Sequence, residues 1–154
     1  MSVHDQVVLL RQIPLFAKVD ESHLKVLAFA TEHVVLLKGQ TLIRQGDEAK
    51  AAFLIVDGEA EAFSGPESQP TSKTSVGRSA FVGEIAMLCG QPYSATIKAK
   101  SRLEALKITK ELFFRVIEEF PEMAMEVMTV VNRRLDSTLH DLADVHRKLT
   151  GPGR

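Results

Sequence analysis

The feature that most constrains this chain is a series of short apolar runs, each followed by a glycine, between residues 33 and 108. The runs "HVVLL" and "TLIRQ" lead to Gly39 and Gly46, and "AFLIV" leads to Asp57-Gly58, a strong hairpin-turn signal. Short strands with a turn signal about every 8–12 residues are typical of a β-sandwich or β-barrel. We therefore predict a β region in which "SGPESQPTSKTS" is a polar surface loop and "ATIKA" and "LEALKI" complete the sheet.

Helical patterns flank this β region on both sides. Residues 4–31 are predicted to be helical, with Asp20 as the N-cap of "ESHLKVLAFATEH". Thr109 is a second N-cap, for a helix that runs to about Phe120. No glycine or proline interrupts residues 122–150, which predicts a long final helix.

The predicted final helix carries a regular seam whose members alternate by steps of three and four. These a and d positions of a heptad repeat are Met128, Val131, Leu135, Thr138, Leu142, Val145 and Leu149. One alternative is a helix that packs on its own domain. We favour a two-helix coil and hence a homodimer, because the seam is narrow and longer than one small domain usually covers. Thr138 is its polar member, and such a residue often sets the register or contacts a ligand.

Length and charge restrict the partners of the chain. Its 154 residues suit one domain. A formal net charge of -1 gives no broad attraction to nucleic acid or to an anionic membrane. No apolar run approaches the ~20 residues that span a bilayer, and the N-terminus has no signal-peptide cleavage site. We therefore expect a cytoplasmic protein that contacts neither nucleic acid nor membrane.

Residues 81–99, "FVGEIAMLCGQPYSATIKA", are typical of a cradle for a small anion, and we call them the cassette. Gly83 permits close backbone approach, and "EIAML" predicts one helical turn whose N-terminal amides attract an anion. Glu84 can accept hydrogen bonds from sugar hydroxyls, and Ser94 adds a hydroxyl donor. Yet the cassette has no lysine, arginine or histidine before Lys98. The alternative is a capped turn that only joins two strands.

Four stretches, "KGQTLIRQGD", "FLIVDGEAEAF", "FVGEIAMLCGQP" and "SATIKA", occur together in this chain. Their order and spacing resemble those of the cyclic nucleotide-binding domain family, over nearly the whole chain. The matching turn and cassette positions are Gly39, Gly46, Asp47, Gly58, Gly83 and Glu84. Each stretch alone is a weak signal, and the combination is specific.

The resemblance implies an α+β fold, a β jelly roll (double-stranded β-helix) flanked by N-terminal helices and a long C-terminal helix. Residues 1–154 would then form a single domain. Its parts would be a helical N-terminus at 1–32, the jelly roll at 33–108 and the C-terminal helices at 109–154.

The resemblance also implies a ligand, cAMP or cGMP, with its cyclic phosphate on the cassette turn and its ribose on Glu84. The cassette positions implied to bind it are Gly83, Glu84, Ile85, Ala86, Tyr93, Ser94, Ala95 and Thr96. In family members whose long C-terminal helix makes the dimer, that helix brings a threonine to the adenine amino group. The matching residue here is Thr138.

One departure from the family pattern lies in the cassette. The family has an arginine just before Ser-Ala, which pairs with the cyclic phosphate, and this chain has Tyr93 there. A phenol is one neutral donor, whereas a guanidinium is a charged fork. A charge-assisted hydrogen bond is worth about 1.5–3 kcal/mol, or roughly 10- to 150-fold in affinity. The amides of Ile85 and Ala86, with Ser94, would hold an anion more weakly, or the Tyr93 ring would fill part of the pocket.

A second departure concerns the output. Transcription factors of this family continue into a helix-turn-helix domain, and this chain reaches Arg154 without one. We expect either the effector half of a longer regulator or a stand-alone module. Its function would be that of a sensor for a small nucleotide. The alternative is a degenerate domain that has lost nucleotide binding through Tyr93 and serves in dimerisation or interaction.

Reactive side chains give no reason to expect an enzyme. Cys89 is the only cysteine, which excludes disulfide frameworks, thiolate zinc sites and iron–sulfur clusters. The histidines lack metal-ligand spacing, and no Ser-His-Asp or Cys-His set is visible. A cupin, also a jelly roll, usually needs a histidine-rich metal site, and only His33 lies in the β region. We expect no metal and no catalysis.

Overall fold

A computed structural model of the chain describes residues 2–13, 16–17, 19–121, 125 and 128–129. Within this part, helices flank eight strands that form two sheets. The elements are α1 (Val3–Arg11), α2 (Glu21–Ala30), β1 (Glu32–Leu36), β2 (Thr41–Ile43), β3 (Ala51–Asp57), β4 (Ala60–Ser64), β5 (Ser72–Val76), β6 (Phe81–Val82), α3 (Glu84–Cys89), β7 (Thr96–Ala99), β8 (Leu103–Thr109) and α4 (Lys110–Glu119).

The helices begin where polar caps are available. Ser2 and Asp5 form a capping box at the start of α1, in which the Ser2 hydroxyl accepts from the Asp5 amide at 3.1 Å. The Thr109 hydroxyl accepts from the amide of Leu112 at 3.2 Å and so caps α4, as predicted. Asp20 is the N-cap of α2, also as predicted, and its carboxylate accepts from the hydroxyl of Ser22 at 2.6 Å.

The two sheets have the strand orders β1-β8-β3-β6 and β2-β7-β4-β5, and every pair of neighbours is antiparallel. This order is that of an eight-stranded jelly roll, in which each step along the chain changes sheet except the step from β4 to β5. The mixed fold of helices and antiparallel sheets that the sequence predicts is therefore confirmed.

Strand β3 explains why "AFLIV" is apolar without alternation. Its side chains are buried on both faces, and only Asp57 is exposed. Ala51, Phe53 and Ile55 pack in the core between the two sheets. Leu54 and its same-face neighbours pack in a second core, under α1, α2 and α4. A strand covered on both faces reads as one continuous apolar run.

Two predictions about the β region are wrong. Asp57-Gly58 does form a turn, with Gly58 at φ +91°, but it does not join a hairpin. Because β3 pairs with β8 and β6, the turn carries the chain across to the other sheet, where β4 pairs with β5 and β7. The polar run "SGPESQPTSKTS" is also more than a loop, since residues 72–76 form the exposed edge strand β5.

The predicted seam falls largely outside the described residues. Met128 is described, and its side chain is 62% exposed. The seam positions that lie outside the described residues are Val131, Leu135, Thr138, Leu142, Val145 and Leu149. The long C-terminal helix stays a prediction for the same reason. Among the described helices, none is long and apolar enough to cross a membrane.

Candidate functional site

A cavity of about 670 Å³ opens between the cassette, which contains α3, and strands of both sheets. Seven of the predicted ligand-binding residues line it, and they are Gly83, Glu84, Ile85, Ala86, Tyr93, Ser94 and Ala95. Thr96 lies beside the cavity lining, and its hydroxyl accepts from the amide of Gln45 at 3.1 Å. Thr138 lies outside the described residues. The structure therefore brings the predicted cassette residues together around one space.

The helical turn predicted from "EIAML" is α3, and Gly83 is its N-cap. The first intrahelical bond runs from the amide of Met87 to the carbonyl of Gly83, at 3.2 Å. The amides of Ile85 and Ala86 come before that bond, and a glycine cap has no side chain that could accept from them. These amides therefore start the turn at the edge of the cavity, where they can donate to a ligand.

Gly83 is required at the start of this turn by its neighbours and its backbone. Its φ is +82°, a left-handed conformation that favours glycine. An added Cβ would lie 3.0 Å from Cε1 of Tyr93, 3.1 Å from Cδ1 of Ile43 and 3.3 Å from the carbonyl of Ala51. The sequence predicted that Gly83 lets a ligand approach the backbone closely. In the structure, the ring of Tyr93 makes this close approach.

Tyr93 is fixed at both its side chain and its backbone. Its hydroxyl donates to the carbonyl of Ala51 at 2.5 Å. Its amide donates to the carbonyl of Asp47 at 3.0 Å, and its carbonyl accepts from the amide of Gly46 at 2.9 Å. The ring packs against both hydrophobic cores. Burial raises the pKa of the phenol, and the charge of Asp47 adds to that rise.

The described lining of the cavity holds one charged side chain, the carboxylate of Glu84. Lys98 is close in sequence but belongs to the outer face of its sheet, because its neighbour Ile97 on β7 faces the core. Its ammonium lies 2.7 Å from the carboxylate of Glu67. The cassette sequence has no cationic residue before Lys98, and the described lining of the cavity has none either.

Sequence reasoning missed the other side chains that line the cavity. They are Ile43, Ala62, Thr74, Phe81, Val82, Cys89, Gln91, Pro92 and Ile97. Most are apolar and come from strands of both sheets. The alternation in "ATIKA" could have indicated Ile97, whereas Thr74 belongs to β5, which the sequence predicted as a loop.

The family model named cyclic nucleotide-binding domain matches residues 33–120, more than half of the chain. The chain belongs to the cyclic nucleotide-binding domain family. The cAMP-dependent protein kinase regulatory subunit of Schizosaccharomyces pombe is 31% identical over 109 residues. The match covers 71% of this chain and 26% of that protein. This member of the family thus matches about a quarter of the length of that curated relative.

Solved structures agree with this assignment of the family. A cyclic nucleotide-binding-like protein from Brucella abortus is 29% identical, with a TM-score of 0.68, and the match covers 74% of this chain and 98% of that one. The catabolite activator protein of Thermus thermophilus has a TM-score of 0.73 and 22% identity, over 86% of this chain and 63% of that one. The second likeness shows the fold alone. The domain is therefore similar to cyclic nucleotide-binding domains of regulatory proteins.

Proposed function

We propose that this chain is a sensor domain that binds cAMP or a related nucleotide and thereby controls a partner or an output domain, such as that of a transcription factor. The observation that carries the proposal is the cavity of about 670 Å³. Seven of the predicted ligand-binding residues line it, in a member of this family. A largely apolar cavity with a few converging polar groups is the usual form of a small-molecule site.

Several polar groups have a role in this proposal. The amides of Ile85 and Ala86 and the hydroxyl of Ser94 donate to the phosphate. The carboxylate of Glu84 accepts from the ribose hydroxyls. Thr138, predicted on the final helix, contacts the base. The roles of Glu84 and Thr138 follow the family pattern, and those of the amides follow from their place at the start of α3.

A row of aromatic rings supports the transmission of a signal from the cavity to α4. Phe81 lines the cavity, and its ring centroid lies 6.3 Å from that of Phe16. Phe16 in turn lies 5.9 Å from Phe113 of α4, edge to face. Met87 of α3 and Phe113 belong to the same buried core. A ligand that shifts α3 would therefore bias the packing of α4.

Titration calorimetry with cAMP and cGMP tests the binding step. We expect saturable heat with one ligand for each chain. The absence of both heat and thermal shift at millimolar ligand would contradict the proposal. Glu84→Gln should weaken binding by roughly 10- to 150-fold, because it removes a charged acceptor. Glu48→Gln is the matched control, since that carboxylate is outside the cavity lining and 80% exposed.

Phe16→Leu tests the transmission step. The change keeps an apolar side chain in the core but removes both ring contacts. We expect cAMP affinity to stay within roughly threefold of wild type, since Phe16 does not line the cavity. The ligand-dependent change in amide exchange of α4 should shrink. An unchanged response in α4 would show that the rings carry no signal.

One observation favours the second candidate, a domain that has lost nucleotide binding and serves in dimerisation or interaction. Tyr93 satisfies its own hydroxyl within the protein, on the carbonyl of Ala51. Wild type would then bind no cAMP, while Tyr93→Arg would create binding if the other groups of the cavity are intact. Micromolar binding of cAMP by wild type would exclude this candidate.

A further inference from the structure

We infer that the cavity recognises the nucleoside part of its ligand and that the phosphate adds little to affinity, with Tyr93 as the residue that sets this selectivity. The inference rests on the proposed function, since it concerns the same cavity. It depends on three properties of the described residues, namely the internal use of the Tyr93 hydroxyl, the sign of the nearby charges, and the apolar walls.

The hydroxyl of Tyr93 is committed within the protein. It donates to the carbonyl of Ala51 at 2.5 Å, and the ring lies against Gly83, where a Cβ would come within 3.0 Å of it. To reach a phosphate, the side chain would have to give up that bond and leave its packing site in both cores. A phenol has one proton to donate, so it cannot serve the carbonyl and a ligand together.

The charges near the cassette disfavour an anion. The carboxylate of Glu84 lines the cavity, and Asp47 is close enough to Tyr93 to raise the pKa of its phenol. Lys98 lies at 2.7 Å from Glu67, and Lys73 at 3.3 Å from Glu61. An anion bound to the backbone amides at the start of α3 would therefore lie near a carboxylate. The described lining holds no cationic side chain that could pair with this anion.

The walls suit a base and a sugar. Val82 from one sheet and Ile43, Ala62 and Ile97 from the other present apolar surface to the cavity. A flat heteroaromatic base would remove this surface from water, which is favourable in proportion to the area buried. The carboxylate of Glu84 lines the cavity and is of the acceptor type that vicinal hydroxyls bind. The apolar walls and the carboxylate of Glu84 would therefore bind the base and the sugar, and not the phosphate.

Calorimetry with adenosine and with cAMP, on the same wild-type protein, decides the inference. We expect the two dissociation constants to agree within roughly threefold, and the cAMP value to change little between low and high ionic strength. A preference for cAMP over adenosine above ~10-fold would overturn the inference and leave the proposed function standing. If neither compound binds, the proposed function fails as well.

Substitutions of Tyr93 identify it as the selectivity residue. Tyr93→Arg should strengthen cAMP binding by roughly 10- to 150-fold over adenosine binding, because the guanidinium can turn into the cavity and pair with the phosphate. Tyr93→Phe keeps the ring and should leave the ratio of the two affinities unchanged. A raised cAMP preference in Tyr93→Phe, or none in a folded Tyr93→Arg, would assign selectivity elsewhere. The ionic-strength series on wild type decides the matter if Tyr93→Arg does not fold.

Discussion

The phenol of Tyr93 and the carbonyl of Ala51, 42 residues apart in the chain, are joined by a hydrogen bond of 2.5 Å. This bond ties the cassette to β3, the strand that is buried on both faces. An arginine in the place of Tyr93 would need an anion to balance its charge, whereas the phenol is satisfied by the protein itself. The cassette of this chain is therefore held in place by an internal contact.

Tyr93→Phe should lower the free energy of unfolding by about 1–3 kcal/mol, because the carbonyl of Ala51 loses its side-chain donor in a half-buried place. Urea denaturation followed by circular dichroism measures the change. Ser75→Ala is a suitable control, since it also removes a hydroxyl hydrogen bond, but on the exposed edge strand β5. Equal stability of Tyr93→Phe and wild type would show that the bond contributes nothing.

Alkaline pH should destabilise wild type through Tyr93. The folded protein raises the pKa of this phenol above its ordinary value of 10.0, chiefly by burial. The neutral phenol therefore stabilises the fold fully below the ordinary value, and this contribution is lost as pH rises through the raised value. The chain has one tyrosine and no tryptophan, so ultraviolet difference absorbance reports this single ionisation. Titration at or below the ordinary value in the folded protein would contradict the expectation.

Gly83→Ala should destabilise the protein more than Gly90→Ala. Both glycines have positive φ, +82° and +66°, so each alanine is strained by about 1–2 kcal/mol. At Gly83 the new methyl would also press on Tyr93, whereas nothing lies within 4 Å at Gly90. Thermal or urea unfolding of the two variants gives the comparison. Equal losses would mean that the ring of Tyr93 moves aside freely.

Labelling of Cys89 should report occupancy of the cavity. This thiol lines the cavity, is partly exposed and is the only one in the chain. A bound nucleotide should slow its reaction with a maleimide, by roughly tenfold at ~10 times the Kd, because the free fraction falls in that proportion. Cys89→Ser controls for reaction at other groups. Unchanged labelling at saturating ligand would place the ligand outside this cavity.

The heptad seam predicts a dimer of twice the 17.0 kDa chain mass, to be measured by light scattering. The double change Leu135→Asp and Leu142→Asp should shift the mass towards that of a monomer, because it buries charges in the seam. Asp141→Asn with Asp144→Asn changes charges outside the seam and should leave the mass unaltered. A persistent dimer in the leucine variant would mean that the seam packs elsewhere.

Local signals predicted much of this fold. The N-caps Asp20 and Thr109, the turn at Gly58 and the start of α3 all depend on residues within a few positions of each other. The choice of which strands pair with each other does not depend on such local residues. Asp57-Gly58 has the sequence of a hairpin turn, but the jelly-roll order separates β3 and β4 into different sheets, and only long-range packing decides that.

In the candidate site, too, local features of the cassette could be predicted from the sequence, whereas long-range contacts could not. Residues 83–86 could be predicted, because a glycine, an acid and a short apolar turn lie next to each other in sequence. The contact of Tyr93 with Ala51 could not, because it joins positions 42 apart. The polar strand β5 was missed for a related reason, since its serine and threonine side chains give it no apolar face.

The elements that lead into and out of the jelly roll lie side by side. β1 pairs with β8 along its length, from Glu32 opposite Lys107 onwards. On the helical side, the ring of His23 in α2 lies 4.2 Å from that of Phe120, just after α4. A domain whose first and last elements are adjacent can be inserted within a longer polypeptide, or added at its end, without a change in its fold. This property is consistent with a domain that matches about a quarter of the length of a kinase regulatory subunit.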